Sequence, residues 1–308
     1  MAERQPVPVI TIGHSPDPDD AFMWWALGHA GERAGAPDER APEIDTGRFL
    51  FRVVLSDIET LNHRAEERAD LDITAVSAHA YPRVRGKYAI TSCGSSLGDG
   101  YGPKVVAREK QGIEWLGSGV EIAVPGERTS AFLALRLLMG KEFRFRVVPF
   151  DQIIEEVAEG KADAGLVIHE GQLTFQDKGL SQVVDLGAWW KGTTGLALPL
   201  GLNVVRRDID ARFGAGASKE LTRVLRSSIE FGLRRRPIVL ERVMKHARGL
   251  TTAQADRFVN MYVNPLSREL GAKGAEAIRV FLKKGAEAGL CPDAGEIDVV
   301  EPNVRVGL

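Results

Sequence analysis

Short runs of β-branched and aromatic residues alternate, over the first two-thirds of the chain, with stretches whose apolar positions recur every three or four residues. VPVITIG (7–13), FRVVLSDI (51–58), DITAVSA (72–78), KVVA (104–107), EIAVPG (121–126), FRVVPF (145–150), AGLVIHE (164–170) and LNVVRRD (202–208) have the length and make-up of strands. Strands alternating with helices predict α/β layers on largely parallel sheets. Short polar residues mark the helix starts: Asp19 and Asp20 before AFMWWALGHA, Thr129 and Ser130 before AFLALRLLMG, and Asp151 before QIIEEVAEG.

After residue 208 the pattern becomes helix upon helix, in KELTRVLRSSIEFGLRRR, PIVLERVMKHARG, TAQADRFVNMYV and GAEAIRVFLKKGAEAGL, and no further strand is expected. Such a block must bury its apolar stripes on an existing sheet, most economically the first. The chain is therefore expected to cross out near 105 and return near 203, giving one lobe from 1–105 plus 204–308 and a second from 106–203. ADLDITAVSAHAY (69–81) and KADAGLVIHEGQL (161–173) echo each other: Ala-Asp, an apolar strand, then a polar group. Ligands of open α/β sheets sit outside the carboxyl ends of strands, so the two echoes can face one another across a cleft. Ala-Asp before a strand is also common by chance.

Composition narrows the partners. The 308 residues carry 40 Lys and Arg against 42 Asp and Glu, a formal charge of −2, so no basic field attracts nucleic acid. Cys93 and Cys291 form neither a disulfide framework nor a CxxC pair. No apolar run is long enough for a membrane span, and the N-terminus lacks the basic and apolar regions of a leader. A cytoplasmic protein acting on a small molecule, without nucleic acid or membrane partners, is expected.

Three segments carry chemistry. In GHSPDPDDAFMWWAL (13–27) a strand ends, Pro16 and Pro18 force an extended turn, and an acid caps a helix whose first N–H groups, with Ser15, make a polar mouth. Asp17, Asp19 and Asp20 suggest a metal less well than capping, because a hard cation needs more oxygen ligands than this turn can aim at one point. VPGERTSAFLALRLL (124–138) repeats the plan, with Thr129 and Ser130 at a helix start whose N–H groups at Ser130 and Ala131 suit an anion. GLVIHEGQLTF (165–175) ends a strand on His169, able to exchange a proton near neutrality. By itself His169 can equally be a core or surface residue, as can His14 and His79. The chain lacks HExxH, GxGxxG and a Walker loop, which removes the zinc-hydrolase and nucleotide readings, and Ser15 of GHSPD is not set in GxSxG, so no serine-hydrolase elbow is expected at that turn. The Gly-rich SSLGDGYGPKVVA (95–107) suits a hinge, a lid or a plain loop, and Trp189-Trp190 an interface or, more economically, core.

Taken in order, GHSPDPDDAFMWWAL, DIETLN, VSAHAYPRV, GYGPKVVA, AVPGERTSAF, GLVIHEGQLTF, VVDLGAWWKGTTGLALPLG and YVNPLSREL cover most of the chain. This series resembles the 1,4-dihydroxy-6-naphthoate synthases of the futalosine route to menaquinone. The resemblance implies a two-lobed α/β fold like that of type 2 periplasmic solute-binding proteins, with two hinge crossings and a central ligand cleft. It implies a carbon–carbon lyase that converts cyclic dehypoxanthinyl futalosine to 1,4-dihydroxy-6-naphthoate with neither metal nor organic cofactor.

The same resemblance makes His169 the proton acceptor, puts Ala75, Val76 and Ser77 at a substrate-contacting strand end and Ser130 and Ala131 at a helix-start contact, and lines the cleft with Asp20. Thr129 and Ser15 join them as neighbouring polar groups. The family's common first motif is Ser-Pro-Cys-Pro-Asn-Asp, whereas this chain has Asp17 and Asp19 in it, adding negative charge where a carboxylate is expected. A longer, Arg/Glu/Pro-rich segment occupies 28–50. The alternatives are a non-catalytic small-anion binding protein of the same fold, and chorismate dehydratase, the sister enzyme of the same route.

Overall fold

The computed structural model describes residues 7–32, 36–140, 142–244 and 250–303. Its strands run β1 (Val9–His14), β2 (Leu50–Leu55), β3 (Ile73–Ser77), β4 (Tyr88–Thr91), β5 (Ser96–Gly98), β6 (Lys104–Ala107), β7 (Glu121–Val124), β8 (Arg144–Val147), β9 (Ala164–Val167), β10 (Ser181–Asp185), β11 (Leu198–Arg206) and β12 (Val299–Val300). They form two sheets. The first has the order β12-β4-β11-β3-β1-β2 with β5 beside β11, and the second the order β10-β6-β9-β7-β8.

Parallel pairing holds at β2-β1-β3 and at β9-β7-β8, where a helix between successive strands returns the chain to the same end of the sheet. The sheets are nevertheless mixed. Strands β11 and β6 enter their sheets from the opposite lobe and run antiparallel to β3 and β4, and to β9 and β10, respectively. The chain leaves the first sheet after Gly98 and is paired in the second from Lys104; it leaves the second after Asp185 and is paired in the first from Leu198. Position 203, expected as the return, thus lies inside β11, because the apolar run LNVVRRD marks only the part of that strand buried on both faces.

The crossings touch. Gly187, at the start of the helix Leu186–Thr194, lies so close to the Tyr101–Gly102 backbone that a Cβ would stand 1.9 Å from the Tyr101 carbonyl oxygen. Only glycine permits that approach, which gives the DLG of VVDLGAWW a physical cause. Asp185 caps the same helix by accepting from the Gly187 and Ala188 N–H groups, and its other oxygen pairs with Lys104 at the start of β6.

The first sheet packs Ile10, Ile12 and Ile73 against Phe22, Met23 and Trp24 and against the helices Ala217–Arg234, Arg236–Val243 and Thr252–Tyr262. The end of PIVLERVMKHARG, 245–249, lies outside the described residues. The last helix, Gly271–Glu287, departs from the expected docking on the first sheet alone. It shares a core with Val76 and Leu202 of the first sheet and with Ile122, Leu133 and Leu166 of the second lobe. Phe281 meets Trp190 edge-on at 5.3 Å, which places Trp190 in the core, while Gly285 abuts Leu133. Strand β12 also lies beyond the expectation; two residues carry no pattern, and its place is set by parallel pairing to β4.

Phe281→Ala should cost about 3–5 kcal/mol, because the side chain is wholly buried in the core common to both lobes. Urea denaturation would show this as a lower midpoint; a loss under about 1 kcal/mol would mean that the helix does not clamp the lobes together.

Candidate active site

Four strands end at one place. The segments after β1, β3, β7 and β9 surround a cavity of about 100 Å³ between the sheets, lined among others by Ser15, Asp17, Asp19, Asp20, Ala75, Ser77, Thr129, Ser130, Ala131, His169, Gln172 and Tyr262. This is the position outside strand carboxyl ends where open α/β sheets bind ligands. Ser77 and His169, one from each sequence echo, both reach it.

His169 follows β9 in the left-handed region, at φ +53°. That conformation is uncommon for a residue with a Cβ, although histidine tolerates it better than most. The turn aims the imidazole back across the cleft. Its Nδ1 lies 2.7 Å from Asp17 Oδ2, its ring stands edge-on to Phe150 at 4.9 Å, and its buried Nε2 has no hydrogen-bond partner among the described residues. Burial disfavours the imidazolium, but the Asp17 charge and hydrogen bond, with Glu170 behind them, outweigh burial and push its pKa up to about 9. His169 therefore holds its proton at neutrality in this state, a higher affinity than the near-neutral exchange expected from sequence.

The other histidines have different duties. His79 is buried with Nδ1 at the Thr129 carbonyl and Nε2 at the Leu290 carbonyl, and burial with the nearby Arg83 lowers its pKa to about 4. A neutral His79 ties β3 to the second lobe. His14 sets Nδ1 against the Ser15 carbonyl, and burial lowers its pKa against the pull of Asp20 and Asp17.

The acids of the first motif diverge. Asp17, rather than Asp19 or Asp20, is the N-cap of the helix Pro18–Trp24, and its side chain makes no capping bond, having turned to His169. Asp20 accepts from the Ser15 N–H at 2.9 Å and the Ser15 hydroxyl at 2.8 Å, so it fixes the mouth of the turn rather than capping the helix. In the second lobe Thr129 is a true N-cap, accepting from Phe132 N–H at 3.2 Å, and leaves the first-turn N–H groups of Ser130 and Ala131 beside the cavity. The Ser130 hydroxyl donates to the Leu200 carbonyl at 2.6 Å. Ser77 is held from behind by Asn62, which accepts from its N–H at 2.7 Å and donates to its hydroxyl at 3.0 Å.

Of the expected contacts, Ser15, Asp20, Ala75, Ser77, Thr129, Ser130, Ala131 and His169 line the cavity, and Val76 does not. Strand residues point alternately to opposite faces, so Ala75 and Ser77 turn to the cleft while Val76 is wholly buried in the core.

Comparison with known proteins supplies the family. A family model described as menaquinone biosynthesis matches residues 10–287. The chain is 36% identical over 291 residues to the 1,4-dihydroxy-6-naphthoate synthase of Streptomyces coelicolor, covering 93% of this chain and 96% of that one. It is 37% identical over 282 residues to the enzyme of the same name from Thermus thermophilus, covering 91% and 95%. The chain belongs to the menaquinone biosynthesis family. Among solved structures, an Archaeoglobus fulgidus protein is 39% identical, with a TM-score of 0.79 over 92% of this chain and 98% of that one. The alkanesulfonate-binding protein of Xanthomonas axonopodis, at 13% identity and a TM-score of 0.67 over 96% and 97% of the two chains, shares the fold alone. The two-lobed periplasmic-binding-protein-like architecture of this family member is thus shared with solute receptors.

Two features escaped the sequence. Asp17 was readable only as a capping or metal-binding acid, since its partner lies 152 positions away in the chain. Tyr262 opens YVNPLSREL, and its hydroxyl donates to Gln172 Oε1 at 2.7 Å, a second bond between the lobes at the cavity wall. Nothing local to either residue signals that pairing.

Asp17→Asn removes the largest support of the imidazolium and leaves burial opposing it, so the His169 pKa should fall well below about 9. An NMR titration of the imidazole would read it. The raised pKa also means that this pair's contribution to stability is complete below about pH 6.5 and is lost as the pH rises through about 9. An unchanged imidazole titration in the variant would remove Asp17 as the cause.

Proposed function

We propose that the chain is a carbon–carbon lyase converting cyclic dehypoxanthinyl futalosine to 1,4-dihydroxy-6-naphthoate, with His169 as the general base. The observation that carries this is the His169 imidazole, anchored through Nδ1 by Asp17 and presenting an unpartnered, buried Nε2 within the cavity. An imidazole so oriented has one nitrogen committed to structure and one for proton transfer. Membership of a menaquinone biosynthesis family and the names of the relatives support this reading.

The remaining residues take positions around that base. The N–H groups of Ser130 and Ala131, at the start of a ten-residue helix, receive the aromatic carboxylate. Ser77 and Asp20 orient the sugar-derived hydroxyls, Ser77 with its geometry fixed by Asn62 and Asp20 together with Ser15. Ala75 and the Thr129 region shape the wall. His169 then removes the proton that starts ring opening and carbon–carbon cleavage. With a pKa of about 9, only about one imidazole in a hundred is free at pH 7, so turnover rises with pH as the proton leaves. A cavity of about 100 Å³ is smaller than ligand sites commonly are, and the substrate enters a cleft opened by separation of the lobes.

An anaerobic assay with the cyclic substrate, followed by mass spectrometry, should give product from the native protein and a loss of at least about a hundredfold for His169→Ala. In the native enzyme kcat/KM should climb toward a limb near pH 9, and Asp17→Asn should move that limb to lower pH. Absence of product from folded native protein would overturn the lyase reading in favour of a non-catalytic binding protein of the shared fold or the chorismate dehydratase-like alternative.

A further inference from the structure

Asp17, Asp19 and Asp20 crowd three carboxyl groups into the turn that opens the helix Pro18–Trp24, and all three line the cavity. Two are accounted for. Asp17 faces the His169 imidazolium, and Asp20 accepts two hydrogen bonds from Ser15. Asp19 has no comparable support. It is 8% exposed, and its Oδ1 is buried without a hydrogen-bond partner among the described residues. A buried anion so placed costs far more than a buried neutral acid, because the His169 charge and the Asp20 backbone N–H support it less than burial and the charges of Asp20 and Asp17 oppose it.

We propose that Asp19 stands in the cleft as an un-ionised carboxylic acid and donates a hydrogen bond to an oxygen of the bound substrate, beside the base His169. This assignment rests on the lyase reading for the identity of the substrate, but the state of the carboxyl group does not.

The strongest influences on Asp19 act in the same sense. Burial raises its pKa well above the ordinary carboxyl range, and the charges of Asp20 and Asp17 add to that; the His169 charge and the Asp20 backbone N–H oppose it and rank lower. From the helix Thr252–Tyr262, Tyr262 faces the same space as a neutral phenol, its own ionisation suppressed by burial. Glu170 and His14 complete the ionisable groups nearby; Glu170 raises the His169 pKa, and His14 couples to Asp20. When carboxyl groups share a site, the proton goes to the one whose anion is least supported. Here that is Asp19. The turn that places three acids in a cleft therefore keeps a hydrogen-bond donor there, and the charge of Asp17 is met by that of His169.

Two measurements on the full chain test this. In infrared difference spectra of the ligand-free protein at neutral pH, the protonated-carboxyl C=O band should contain a component that Asp19→Asn removes. In steady-state assays Asp19→Ala should raise KM by about tenfold or more through loss of the donated bond, and Asp19→Asn, which keeps a donor of the same shape, should recover most of that loss. Thermal melts establish that both variants are folded. The proposal is overturned if the Asp19 carboxyl is ionised at neutral pH, or if the asparagine variant is no better than the alanine variant. Should native protein fail to turn over the substrate at all, the lyase reading falls while the infrared band still decides the state of Asp19.

Discussion

Everything at the cleft depends on two backbone crossings lying against each other. The outgoing segment between β5 and β6 and the return through the helix Leu186–Thr194 meet where Gly187 touches Tyr101 and Gly102. A side chain there would push the crossings apart and change the angle at which the sheets face. Because they meet, the carboxyl ends of β1 and β3 in one sheet are set against those of β7 and β9 in the other. The last helix reinforces this by sharing one core with both lobes, so the cleft has a rigid back and polar walls.

Those walls divide the electrostatic work. The second lobe brings hydrogen-bond donors at a helix start and an imidazolium; the first brings carboxyl groups and the Asn62-braced Ser77. Each carboxyl of the first turn meets a different environment. One has a cationic partner, one has two donors and one keeps a buried oxygen without a partner among the described residues, so chemically identical side chains within four consecutive positions need not share a protonation state.

Much of this was legible in the residues. Eight of the strands announce themselves by short apolar or β-branched runs, and the helix start at Thr129 follows from its capping pattern. The strands that escaped are short or lie at the margins: β4, β5, β10 and β12 are held by pairing to neighbours distant in sequence, which no local pattern encodes. The cavity wall shows the same division. Ser15, Ser77, Ser130 and His169 sit at strand ends or helix starts, where position alone marks them, and alternation along β3 excludes Val76 once the strand register is known. Asp17 and Tyr262 act through partners on the other lobe, and such pairs exist only after the chain has folded.

The Asp17–His169 contact has a further consequence, since its two members belong to opposite lobes of the cleft. Parting the lobes separates a carboxylate from the imidazole whose proton affinity it sustains, so the open form binds that proton less tightly than the closed form. Any opening of the cleft would then be linked to proton release, and acidity would favour the shut conformation. The contact that joins the lobes and the group that titrates are the same pair.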